Sequence, residues 1–228
     1  SLDIRDTIVL CQKAYYNFSV FRNTIDLMTE FSMSNIYLTG GSKKAREFFD
    51  ALCKKINMNS LQSKFFREYY RSGNVFIHRF DANVSQADVT RMTQTFGLSS
   101  NASFKLPARY IILNPADIQI SGNITFATGE FKKVLTDYEL ERLRHPRTEE
   151  DRQVLESFDP ETIKKIKGEG NKKPGYNAVS IPLPLDKITA VFYKKQDYEP
   201  FAVPMGYPVL EDINWKQEMK KMDMALTR

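Results

Sequence analysis

The apolar residues of this chain fall into helical spacing first and strand spacing later. Between residues 3 and 57 they recur at three- and four-residue steps, the spacing of one helix face. Asp3 stands ready to cap a first row made of Ile4, Ile8, Cys11 and Tyr15. A second row, Phe21, Ile25, Met28 and Phe31, follows Ser19. Ile36-Tyr37-Leu38-Thr39 reads as a short strand closed by Gly40-Gly41. Ser42 then caps a helix with Ala45, Phe48, Phe49, Leu52, Cys53 and Ile56 on one side, and Asn57–Ser60 breaks it.

The best-formed stretch is Leu61–Phe80, LQSKFFREYYRSGNVFIHRF. Leu61, Phe65 and Tyr69, with Phe66 and Tyr70 beside them, predict a helix with a broad aromatic stripe to bury. Ser72-Gly73-Asn74 ends it, because glycine adopts positive φ without a Cβ clash. Val75–Phe80 is β-branched and aromatic and predicts a strand beside that helix.

The polar segment 81–106 holds a short helix at Ala87–Phe96 and a loop at Gly97–Ser103. Strand patterns follow at Ala108–Leu113, Asp117–Ile120, Ile124–Ala127 and Phe131–Leu135, separated by Asn-Pro and glycine turns, which predicts an antiparallel meander. Residues 137–173 form a charged insert with little apolar surface, placed on an edge. Within it Asp159-Pro160-Glu161 opens a helix by cap, first-position proline and first-turn acid. Ala178–Leu185 and Ile188–Tyr193 are strands, the first confined to an edge by Pro182 and Pro184. Glu199–Pro208 is irregular, and Leu210–Leu226 resumes helical spacing up to the end of the chain, as if a longer parent chain continued it. The fold class is α+β: N-terminal helices packed on a mostly antiparallel sheet.

With 228 residues, 42% hydrophobic and 27% charged, the chain can bury a core, and 16 Phe with 11 Tyr make that core aromatic. Its 33 basic and 28 acidic residues leave +5, compatible with a nucleic-acid neighbour but more in keeping with a mixed solvated surface. Cys11 and Cys53 form no metal or disulfide pattern, and no apolar run approaches the roughly 20 residues that span a bilayer. No signal peptide is visible. The chain reads as intracellular, or as part of a particle assembled there.

Candidate chemistry is sparse. His78 sits mid-strand between aromatics and His145 precedes Pro146, so neither has the neighbours of a base or ligand. Glu68, Asp81 and Asp117 could hold a divalent metal for a nuclease or phosphodiesterase, although their spacing matches no motif. Gly40-Gly41-Ser42-Lys43-Lys44 lacks the P-loop pattern and reads as a capped helix start. Lys164, Lys165, Lys167, Lys172 and Lys173 could contact phosphates or a partner, but lysines also suit a helix C-terminus.

Three segments, taken in order, resemble the portal proteins of tailed bacteriophages: FFREYYRSGNVFI (Phe65–Ile77), RYIILNPADIQISGN (Arg109–Asn123) and FYKKQDYEPFAVPMGYPVLEDINWKQEM (Phe192–Met219). The resemblance rests on a helix-to-strand "sGn" corner, a strand ending in Asn-Pro, and a strand leading through a Pro/Gly loop into a long helix. It implies a wing-like domain over residues 1–205, carrying the insert 137–173, and the start of a stem helix over 206–228. It further implies a homo-oligomeric ring of about twelve subunits at one capsid vertex, the channel for DNA packaging and ejection. Implied partners are terminase, scaffold, capsid and head-completion proteins and double-stranded DNA held non-specifically, with no membrane. The setting would be the virion, or the host cytoplasm during assembly. Such a role needs no catalytic residue, cofactor or metal. The insert 137–173 matches no pattern of the family.

Overall fold

In a computed structural model the described residues are 3–83, 86–96, 105–121, 130–156, 158–168 and 179–226. The fold is α+β, with helices first and small antiparallel sheets after. The chain divides into two compact units, one of residues 1–116 with 187–228 and the other of 117–186. The final helix belongs to the first unit, and the boundary encloses the charged insert together with the strands on either side of it.

In the first unit, α1 (Ile4–Asn17) starts at Asp3, whose carboxylate accepts the Arg5 N–H, and α2 (Ser19–Ser32) follows directly. Cys11, Ala14, Tyr15, Phe21 and Ile25 bury their side chains with Leu210 of α9 (Tyr207–Leu226), and Phe18, Tyr70 and Tyr207 pack around them. Phe31, placed on the inner row by its spacing, instead stands 81% exposed. The expected strand at 36–39 does not form: the segment is irregular and exposed, having no neighbouring strand to pair with among the described residues.

Ser42 accepts the Ala45 N–H and opens α3 (Lys43–Lys55), but no residue of that helix is buried. The helical run is interrupted for two residues only, Ile56 and then Asn57. Asn57, at φ 53°, turns the chain, and its side chain accepts the Ser60 N–H, so α4 (Met58–Ser72) begins earlier than the break at 57–60 predicted. The aromatic stripe of α4 is half-buried, with Phe65 stacked on Tyr69 and Phe66 on Tyr70. The residues α4 does bury are Glu68 and Ser72.

Gly73, at φ 70°, turns the chain into β1 (Asn74–Asn83), the central strand of a sheet ordered β2-β1-β6 with β2 (Lys105–Leu113) and β6 (Ile188–Phe192). Both neighbours run antiparallel to β1, with Phe76 opposite Leu113 on one side and Ala190 on the other, and a register shift at Phe80/Asp81. α5 (Gln86–Phe96) lies where its pattern predicted. The expected loop 97–103 lies outside the described residues.

The meander is therefore split. β2 joins the first sheet, while β3 (Ile118–Ser121) pairs with β4 (Glu130–Val134) and β4 with β5 (Ser180–Leu183) in a second sheet. The strand expected at 124–127 lies outside the described residues. Pro182 sits on the edge strand β5, as its missing N–H requires.

The insert does not merely lie on an edge. Its helices α6 (Asp137–Arg144), α7 (Glu149–Glu156) and α8 (Pro160–Lys167) enclose a core of Leu135, Leu140, Leu143, Ile166 and Ile181, flanked by Val154, Leu155 and Phe158. Few apolar residues suffice because each helix needs only one buried row. No described helix is long and apolar enough to cross a membrane.

Candidate interaction site

The helix-to-strand corner at Ser72-Gly73-Asn74 is where the first unit is tied together. Asn74 is fully buried and spends its amide in both directions. Its Nδ2 donates to Ser72 O at 2.7 Å and to Ala202 O at 2.8 Å, and its Oδ1 accepts the Ala202 N–H at 2.8 Å. The Ser72 hydroxyl bonds Glu68 O and Asn74 O, and Gly73 O accepts the Tyr193 N–H at 2.8 Å. A Cβ on Gly73 would stand 3.3 Å from Pro204 Cα, so the Pro/Gly loop approaches this corner as closely as it does because residue 73 has no side chain. Phe76 adds edge-on ring contacts to Phe192 and Phe201. The loop that proline content kept from regular structure is thus held by side-chain and ring contacts.

Beside the corner lies a polar cleft of about 300 Å³, lined by Gln12 and Tyr16 of α1, Glu68 and Arg71 of α4, and Ile112, Leu113 and Asn114 at the end of β2. Arg71 forks between the Glu68 carboxylate and the Tyr16 hydroxyl, with its guanidinium 5.4 Å from the centre of the Tyr15 ring. Next to it the Tyr15 hydroxyl donates to Asp26 at 2.7 Å, and Arg67 donates to the same oxygen. Gln12 bonds Asn114 at 2.9 Å. Burial, aided by the Asp26 hydrogen bond, raises the Tyr15 phenol above its ordinary range, so it serves as a neutral donor.

This arrangement accounts for the three carboxylates considered for a metal. Glu68 is the counter-ion of Arg71. Asp81 accepts from Arg79 Nε at 2.8 Å. Asp117 belongs to the other unit, where its carboxylate lies 4.0 Å from Lys133 Nζ. Among the described residues no group of three or more His, Cys, Asp or Glu could hold a metal.

His78 is half-buried in β1 with its ring 4.6 Å from that of Phe80, and Arg109 covers Phe80 as well. Burial first, then the nearby Lys187, pushes the imidazole below its ordinary pKa against a smaller opposing pull from Asp81. His145 is exposed at the end of α6, 3.6 Å from Glu141.

Of the lysine cluster, Lys164, Lys165 and Lys167 are exposed in the last turn of α8, which ends at Gly168 with φ 79°. There they complement the helix dipole. Arg144 Nε bonds Ile166 O in the same turn at 2.7 Å. Lys172 and Lys173 lie outside the described residues. The positive balance of the chain resides elsewhere: residues 117–186 hold 11 basic and 13 acidic residues, against 22 and 15 in the first unit.

Spacing did not single out Asn74 as a clamp or Lys133 as a buried cation. The "SGN" triplet signals the corner but says nothing of the loop 128 residues away that Asn74 holds. No known family model matches the chain, and no curated protein does.

Proposed function

We propose that this chain is a structural subunit of a homo-oligomeric ring, a phage portal at a capsid vertex whose channel carries DNA during packaging and ejection. The observation that supports this reading most is the way the three portal-like segments close on one another. Phe76 of the first pairs with Leu113 of the second and meets the rings of Phe192 and Phe201 of the third, and Asn74 binds Ala202. Parts of all three motifs therefore meet within the first unit, which supports reading them together.

On this reading residues 1–205 act as the wing, α9 leads toward a stem, and the surfaces serve terminase, scaffold, capsid and head-completion proteins. DNA passes non-specifically, and the assembled protein resides in the virion. Negative-stain microscopy of the full-length gene product is expected to reveal closed rings of about twelve subunits. A product that stays monomeric at high concentration and low salt would sink the reading. The nuclease alternative has no observation in its favour, since each of its three carboxylates faces a cation.

A further inference from the structure

Helix α3 and the segment before it are unusual for how little they bury. α3 is 13 residues long, a length at which an isolated helix is marginal in water. Its apolar row of Ala45, Phe48 and Leu52, continued by the cap residue Ile56, is half-buried where the helix lies against α4 and α5, while the adjacent Phe49 is 51% exposed. Just upstream Phe31 is 81% and Tyr37 78% exposed. Phe31, Tyr37 and Phe49 thus offer exposed apolar contacts to a second body.

Charge indicates which body. α3 holds five basic residues, Lys43, Lys44, Arg46, Lys54 and Lys55, against Glu47 and Asp50. α7 carries the reverse, four acids against Arg152 alone, and its Glu149, Glu150 and Glu156 are exposed. A second copy of this chain thus presents a helix whose charge complements α3.

We propose that α3, with the segment 31–38, docks on a second copy of this chain against the surface that carries α7. The contact joins unlike faces, so it propagates from copy to copy and either closes into a ring or continues as a filament. The inference deepens the ring reading by naming the face that meets the neighbour.

Sedimentation velocity of the 228-residue chain over a concentration series tests it. The chain is expected to self-associate at low salt and to weaken as salt screens the charges. Phe49→Glu is expected to weaken association about tenfold or more. Lys44→Glu with Lys55→Glu, and separately Glu149→Lys with Glu156→Lys, should each weaken it, and an equimolar mixture of these two double variants should restore it. All five positions are exposed, and circular dichroism checks that helix content is unchanged. A chain monomeric at every concentration overturns the inference, as does association indifferent to Phe49→Glu or a mixture that fails to restore it. Rings that persist with Phe49→Glu overturn this inference and leave the portal reading standing. Association lost with Phe49→Glu but limited to open chains supports the docking face and counts against the portal ring.

Discussion

Asn74 shows how one buried amide can hold two distant pieces of chain. Replacing it with Ala leaves Ser72 O and both polar groups of the Ala202 backbone without their partner. Buried groups left unsatisfied cost about 1–3 kcal/mol each, so Asn74→Ala should destabilise the protein by about 3 kcal/mol in urea unfolding. A loss below about 1 kcal/mol would mean that the loop holds without the clamp. Gly206 has a different constraint: an added Cβ would stand 2.4 Å from the buried Phe21 ring. Gly206→Ala is expected to lower stability by about 1–3 kcal/mol, the range for overpacking, and to leave the unfolding slope unchanged. His78 provides a pH signature. Its folded pKa lies below the ordinary imidazole value of 6.5, so the unfolded chain binds the proton more readily. Its contribution to stability is present above that value and declines as pH falls from there toward the folded pKa. His78→Phe should flatten that part of the stability–pH curve, and an unchanged slope would show that neither burial nor the nearby Lys187 perturbs the imidazole.

At the scale of elements, the sharpest case is the pairing of β4 with α6. The Thr136 hydroxyl accepts the Glu139 N–H while Glu139 accepts the Thr136 N–H, and the same carboxylate takes Lys133 Nζ at 2.6 Å. Burial alone would raise the Glu139 pKa, but the hydrogen bonds from Lys133 and Thr136 outweigh it and hold it low. Glu139 therefore contributes stability above the ordinary carboxylate range, and that contribution is lost as pH falls through its folded pKa. Thr136→Ala should cost about 1 kcal/mol by calorimetry, the usual value of an N-cap. Thr136 and Glu139 have the spacing of a capping box, although this cap was not among the sequence expectations. Nor was the role of Lys133, because a lysine in a strand pattern normally points to water. Helix α4 shows the same limit from the other side. Its aromatic rows predicted the helix correctly, but Glu68 and Ser72 take the buried positions because the Asn74 corner and Arg71 supply their partners.

For the whole molecule, the second unit makes a prediction of its own. Its core residues Leu135, Leu140, Leu143, Ile166 and Ile181 all come from within 117–186. Residues 117–186 expressed alone should unfold cooperatively and give dispersed amide resonances. A non-cooperative melt would mean that its core depends on the rest of the chain. The charge budget also changes at this scale: the basic excess lies in the first unit, so binding of the whole chain to an anionic surface should survive substitution of Lys164, Lys165 and Lys167 by Gln.

The sequence by itself determined what depends on neighbours a few residues apart. The caps at Asp3, Ser42 and Asp159, the glycine corners at 73 and 168, the helix of α9 and the edge placement of Pro182 all follow from local sterics and hydrogen-bond inventory. Only the tertiary structure decided what depends on distant partners. The sheet order β2-β1-β6 brings Ile77 against Ile112 on one side and Thr189 on the other, so the meander read from evenly spaced strands is divided between two sheets. Strand spacing records how often a chain turns but not which strand it returns to. That choice is made by the side chains that close around each strand, and for β1 they come from β2 and, more than a hundred residues away, from β6.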